Sequence, residues 1–227
     1  MDDSSITAPA PASTSVPPGL APFIHLCDAL VVADKPSGLL SVPGRGPERA
    51  DCLAARVQAV LPDARVVHRL DMSTSGLMLM ARGAQAQRVV SRAFEQRRVD
   101  KRYVAVVQGL VRDDVGEIDL PLIVDWPNRP RQCIDHVVGK PSLTRWQVLL
   151  RDVERQRTRL ALQPITGRSH QLRVHLSAIG HPIFGDDLYA PPQVCAAEPR
   201  LLLHAHRLAI DHPVTGERLS FVCDVPF

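Results

Sequence analysis

The chain has 227 residues, 45% of them hydrophobic and 22% charged, with a formal net charge of +3; it can bury a sizeable core and is neither low-complexity nor membranous in composition. Its five cysteines are scattered, with no C-x-x-C pair, which argues against a zinc ribbon or a disulfide framework. No apolar run approaches the length of about 18 residues that a membrane helix needs, and the acidic Asp2-Asp3 start lacks a signal core, so the expected compartment is the cytoplasm.

Residues 1–21 are mostly Ala, Pro, Ser and Thr with almost nothing to bury, and a disordered tail is expected there. One domain is expected over 22–227. Its first apolar run, Ala29 to Ala33, stops at Lys35-Pro36-Ser37-Gly38 and reads as a buried strand followed by a turn. A short helix is expected over Leu53–Val60, and a second buried strand over Leu77–Ala81 between Gly76 and Gly83. Ala84–Arg98 has the stripe Ala86, Val89, Val90, Ala93 and Phe94 of an amphipathic helix. Tyr103–Val107 alternates as a strand, and further strands are expected over Thr144–Leu150, Thr158–Leu162, Leu201–His206 and Leu219–Val222. Ser169–Ile179 reads as a helix with Leu172, Leu176 and Ile179 inward, Ser169 as N-cap and Gly180 as terminator. The sum is α+β, with a mixed, mostly antiparallel sheet and flanking helices.

Between Arg65 and Arg112 ten basic residues face three acidic ones, an excess of seven that favours a polyanionic partner. Within that stretch His68-Arg69-Leu70-Asp71 and Thr74-Ser75-Gly76 form a polar loop between two strands, where a reactive carboxylate is commonly presented. An Asx-turn aspartate that only shapes the loop is the plainer account of Asp71. Lys101-Arg102-Tyr103 opens a strand and holds one of only two tyrosines, which packing alone could explain. Arg173 falls at the border of the buried helical stripe; it is either half-buried and in need of an anion such as Asp71, or a snorkelling surface residue. Leu201-Leu202-Leu203-His204-Ala205-His206 puts two histidines on one strand face, a known metal-ligand arrangement. It lacks acidic co-ligands in sequence, so no metal is expected.

Taken together these segments resemble the RluA family of pseudouridine synthases. The resemblance rests on His68 to Asp71 with Thr74-Ser75-Gly76, Lys101-Arg102-Tyr103, Thr166-Gly167-Arg168-Ser169-His170-Gln171-Leu172-Arg173-Val174-His175, Leu201 to Ala205 and the Asp34 to Gly38 turn, all in family order. It covers about residue 22 to the end. The tail is too short and too polar for the separate N-terminal RNA-binding domain that many members carry. Ser41-Val42-Pro43-Gly44-Arg45 and Asp125-Trp126-Pro127-Asn128-Arg129-Pro130 resemble the compact RluA subgroup, which acts on a tRNA anticodon stem-loop uridine and a 23S rRNA hairpin-loop uridine. The resemblance implies Asp71, Tyr103 and Arg173 as catalytic residues, with Arg173 paired to Asp71. It implies substrate contacts from His68, Arg69, Thr74, Lys101, Ile165, Arg168, His170 and Leu203. It also implies an RNA substrate flipped out of its stack, no cofactor, no metal and a monomer. A metal-dependent hydrolase and a non-catalytic RNA-binding module are the rival readings; a kinase is dismissed for want of its Gly-rich loop.

Overall fold

The computed structural model describes residues 23–227, so the tail expected over 1–21 and the first residue of the expected domain lie outside the described residues. In chain order the elements are β1 (His25–Leu26), β2 (Leu30–Lys35), α1 (Leu53–Gln58), β3 (Ala64–Val66), β4 (Ser75–Arg82), α2 (Gly83–Glu95), β5 (Asp100–Gln108) and β6 (Val115–Asp119). There follow β7 (Leu122–Val124), β8 (Gln132–Ile134), β9 (Leu143–Asp152), β10 (Arg157–Pro164), α3 (Gln171–Ala178), α4 (Pro192–Ala196), β11 (Leu203–Asp211) and β12 (Arg218–Val222). Ten strands form one sheet in the order β1-β2-β4-β11-β5-β10-β9-β6, with β3 added to β4 and β12 to β11; β7 and β8 form a separate hairpin. Among the described strands only β4 and β11 pair in parallel. The mixed, mostly antiparallel α+β architecture expected from sequence is the one observed.

The core explains why β2 and β4 read as continuous apolar runs: both faces are covered. Leu30, Val32, Leu77 and Leu79 pack with Ala86, Val90 and Ala93 of α2 on one side. Val31, Ala33, Met78 and Met80 pack with Leu53, Ala54 and Val57 of α1 on the other. A third cluster joins Ala105, Leu160, Leu162 and Leu203 of the central strands to Leu172 and Leu176 of α3. Gly76 allows the parallel β4–β11 approach. It sits at φ 108°, and a Cβ there would collide with the backbone of Ala205 opposite.

Several boundaries differ from expectation, for local reasons. The helix expected over Leu53–Val60 stops at Gln58. The one expected over Ala84–Arg98 stops at Glu95, because Arg97 turns left-handed at φ 58°. Ser169 is not the N-cap of α3. His170 holds that position at φ 54° and offers no side-chain cap; the side-chain carbonyl of Gln171 folds back over the preceding loop, accepting from Arg168 N at 3.0 Å and from Thr166 Oγ1 at 2.7 Å. The strand expected over Leu201–His206 begins at Leu203 and continues to Asp211. The short strands β1, β3, β6, β7 and β8 and helix α4 carry too little periodicity to be read in advance.

Candidate active site

The loop from Val67 to Thr74 carries Asp71 between β3 and β4, and a second loop grips it from behind. Ser41 Oγ donates to Leu70 O at 2.6 Å and accepts from Leu70 N at 3.0 Å. Ser37 Oγ donates to Ser73 O at 2.7 Å, and Gly38 N donates to Met72 O at 2.9 Å. Lys35 is fully buried, and its Nζ donates to Pro36 O, Leu39 O and Met72 O at 2.9, 2.7 and 3.0 Å. These three carbonyls match the three N–H bonds of an ammonium. Burial pushes Lys35 down to about 8, against the pull of Asp71. The loop is thus fixed by its backbone, which leaves the Asp71 carboxylate free to face the cleft.

That cleft has a volume of about 1360 Å³, and every residue expected at the site lines it: Asp71, Tyr103, Arg173, Arg69, His68, Thr74, Lys101, Ile165, Arg168, His170 and Leu203. Tyr103 on β5 pairs across with Ala205 of β11, and Leu203 pairs with Ala105, so both reach the cleft from adjacent strands. Burial, and after it Asp71, raises the Tyr103 phenol well above its ordinary value. Burial also lowers Lys101, assisted by Arg97.

Arg173 has a more demanding partner than the expected Asp71. It is buried, with Nε 2.8 Å from Asp186 Oδ2, Nη2 2.6 Å from Asp186 Oδ1 and Nη2 2.9 Å from Asp187 Oδ1. Its remaining nitrogen, Nη1, lies 3.9 Å from Asp71 Oδ2. The His170 Nε2 lies 3.9 Å from Asp71 Oδ1, while its Nδ1 meets the Tyr189 hydroxyl at 2.6 Å. Burial lowers the His170 imidazole, opposed by Asp71. Asp71 therefore faces two nitrogen groups, each positioned from behind by another partner.

The cleft is basic, but not as the sequence stretch suggests. Of the ten basic residues between Arg65 and Arg112 only Arg69, Arg97 and Lys101 line it; Arg45, Arg49, Arg129 and Arg168 join them from elsewhere in the chain. Arg82 is instead held by Asp63. Among the described residues no helix is long and apolar enough to cross a membrane.

A family model described as RNA pseudouridylate synthase matches residues 29–178, the span that supplies Asp71, Tyr103 and Arg173. The chain belongs to the RNA pseudouridylate synthase family. It is 53% identical over 199 residues to the dual-specificity RNA pseudouridine synthase RluA of Pasteurella multocida, covering 88% of this chain and 90% of that relative. It is 48% identical over 205 residues to the protein of that name from Escherichia coli K12, covering 90% and 93%. Among solved structures it is similar to human RNA pseudouridylate synthase domain containing 1, at a TM-score of 0.76 and 30% identity over 90% of this chain and 83% of that one. Human RNA pseudouridylate synthase domain containing 4 gives 0.74 and 27%, over 90% and 88%.

This pseudouridine synthase places several residues at its centre that sequence reasoning missed. Asp186, Asp187 and Tyr189 follow Gly185 in an irregular segment, and nothing local marks them as partners of Arg173 and His170. Gln171 lay inside the recognised motif, and a polar residue at the base of a helix that is buried on several sides was the available signal. Lys35 was read only as part of a turn.

Two buried groups at this site have measurable consequences. Lys35→Met takes the ammonium away from the carbonyls of Pro36 and Leu39 and leaves Met72 O with Gly38 N alone, so a loss of about 2–4 kcal/mol is expected, together with reduced turnover because Met72 adjoins Asp71. Denaturant unfolding and a single-turnover assay check both. The second group is His68, whose ring stacks on Phe94 at 4.6 Å and accepts from Leu79 N through Nε2 at 3.0 Å. Burial, then Lys101, pushes the imidazole from 6.5 down to about 3. Below pH 6.5 the unfolded chain gains a proton that the folded chain refuses, so the stability His68 contributes is complete above 6.5 and drains away toward pH 3. The ring keeps a partly exposed edge in the cleft, which limits the loss to about 2–3 kcal/mol. His68→Gln retains an acceptor that does not titrate and should flatten that part of the pH–stability curve. An unchanged slope in that variant would mean the ring opens to water.

Proposed function

We propose that this chain isomerises loop uridines in tRNA and in 23S rRNA, with the Asp71 carboxylate as the group that acts on the target nucleotide. The observation that carries this reading is the placement of Asp71 on a backbone-fixed loop, 3.9 Å from a buried guanidinium and beside Tyr103, in a basic cleft wide enough for a nucleotide. The reaction breaks the bond from uracil N1 to the ribose anomeric carbon and forms one from C5. The C5 proton leaves, N1 gains one, and nothing else is consumed. Either attack on the anomeric carbon or removal of a ribose proton uses the carboxylate as an anion.

The other residues have roles that suit their surroundings. Arg173 orients Asp71, and Leu203 with Ile165 forms the apolar wall of the base pocket. Tyr103 is better suited to pack against the flipped uracil than to serve as a base, since a phenol buried this way keeps its proton. Arg69, exposed on the loop beside Asp71, can occupy the gap left in the RNA stack, and Lys101, Thr74, Arg168 and His170 border the bound strand. Flipping costs a few kcal/mol and is cheapest in loops, which agrees with stem-loop substrates. The dual-specificity names of the RluA relatives support two RNA substrates here as well; that the chain meets them as a monomer in the cytoplasm is part of the same proposal.

Pseudouridine mapping of total RNA from a deletion strain tests this reading. A tRNA anticodon-loop site and a 23S hairpin site should both disappear and both return on complementation. Loss of one alone assigns a single substrate, and loss of neither overturns the proposal.

A further inference from the structure

Behind the catalytic loop lies a second cavity of about 810 Å³. Ser73 and Ser75 line it, whereas Thr74 between them lines the active cleft. Four carboxylates, Asp34, Asp187, Glu198 and Asp224, face it with Lys35 and Arg200; Asp187 pairs with Arg173 and Glu198 with Arg157. At its edge the ligand atoms of Asp34, His204 and Cys223 all lie within 4.8 Å of one another, brought together from β2, β11 and the residue after β12.

His204 is the anomaly in this group. It is fully buried; its Nδ1 meets Ser75 Oγ at 2.9 Å, while its Nε2 has no hydrogen-bond partner. An orphaned ring nitrogen in the interior is destabilising and calls for an explanation. Ser75 Oγ also accepts from Arg200, so it can accept from Nδ1–H and leave the Nε2 lone pair available. A ligating histidine is commonly braced in this way through its other nitrogen. Cys223 is likewise held in place, since its N–H donates to His206 O at 2.9 Å and its carbonyl meets His206 Nδ1 at 2.6 Å. His206 is thereby engaged, and the His204-x-His206 pair read from sequence is not itself a ligand pair.

We propose that Asp34, His204 and Cys223 bind a zinc(II) ion, with a solvent molecule from the cavity as fourth ligand. One carboxylate oxygen, one imidazole nitrogen and one thiolate sulfur form a donor set that zinc accepts, and three protein ligands leave one position open. On binding, the Cys223 thiol releases its proton to solvent, and the two anionic ligands balance the charge of the ion. Zinc bonds of about 2.0–2.3 Å set tetrahedral ligand atoms about 3.5 Å apart, so the three side chains need draw in by no more than about 1 Å. The ion ties β2, β11 and the end of β12 together directly behind Ser75, which makes its role structural and separate from the isomerisation.

The test strips the full chain with a chelator and titrates it with cobalt(II), then zinc(II). One equivalent of cobalt should produce a thiolate-to-cobalt charge-transfer band that one equivalent of zinc removes. Cys223→Ala should abolish the band. Cys27→Ala should keep it, although Cys27 Sγ lies 3.6 Å from His212 Nε2 and is the natural alternative thiol. Ser75→Ala should weaken zinc binding by about 10–100-fold through the loss of the brace on His204. Should Cys223→Ala fail to fold, Asp34→Asn at the half-buried ligand tests the same site through a weaker affinity. No band in the parent chain, a band surviving Cys223→Ala, or an affinity unmoved by Asp34→Asn overturns the site and leaves a thiol that hydrogen-bonds Asp34 and the Asp224 carbonyl.

Discussion

Asp71→Asn should fold, bind RNA with unchanged affinity and produce no pseudouridine. Folding is spared because the loop is fixed through the backbone of Leu70, Met72 and Ser73, not through the carboxylate. Asn has nearly the same shape, and the two nitrogen groups facing Asp71 stand off at 3.9 Å, so their loss of attraction costs at most about 1 kcal/mol. RNA affinity should be spared because the cations that line the cleft, Arg45, Arg49, Arg69, Arg97, Lys101, Arg129 and Arg168, remain when the Asp71 carboxylate is replaced. Turnover is not spared. An amide can neither attack an anomeric carbon nor accept a ribose proton, and the rate should fall by more than about 10⁴-fold, beyond the ~10²–10⁴ that a positioned acid or base supplies. Thermal unfolding, a filter-binding isotherm and a tritium-release assay on one RNA substrate separate the three effects. Measurable turnover in a folded, RNA-bound variant would remove Asp71 from the reaction.

The contrast between Asp71 and its supports shows what a linear reading reaches. Residues whose meaning is carried by near neighbours in sequence were legible. Leu77–Ala81 announces a strand buried on both faces, and the polar run between it and Val66-Val67 announces a loop held at two strand ends, in which Asp71 by itself reads more simply as an Asx-turn residue. The stripe of Leu172 and Leu176 announces α3. Residues whose meaning is carried by distant partners were not. Asp186 is an ordinary acidic residue until the turn after Ile183-Phe184 returns it to the guanidinium of Arg173, and Lys35 is a turn lysine until Met72 closes over it. Asp34, His204 and Cys223 share no spacing at all, and only the order β2-β4-β11 with β12 alongside brings them together. The basic stretch illustrates the reverse error, since contiguity in sequence placed only three of its ten cations in the cleft.

Arg173 carries the second large expectation, and its partners allow its structural and positioning roles to be separated. Asp186 is buried to the same degree as the arginine and also accepts from Leu188 N and Tyr189 N at 3.0 and 3.1 Å. Burial opposes the charge on Arg173, but its bonds to Asp186, together with the charges of Asp186, Asp71 and Asp187, outweigh it and raise the guanidinium above its ordinary value. Arg173→Leu therefore leaves a buried carboxylate uncompensated, and a loss of about 3–5 kcal/mol is expected. In Arg173→Leu with Asp186→Asn that charge is gone while an acceptor for the two amides remains, so most of the lost stability should return. Turnover should not return, because nothing then reaches toward Asp71 from α3. Arg173→Lys is the sharper test of positioning: one ammonium cannot satisfy Asp186 at two oxygens and also face Asp71. That variant should retain RNA affinity and most of its stability while kcat falls by about 10²-fold at unchanged KM, the signature of a group that aligns the reacting carboxylate. If Arg173→Lys turned over normally, or if the double variant regained activity along with stability, the guanidinium would be a purely structural counter-ion to Asp186 and Asp71 would act without its help.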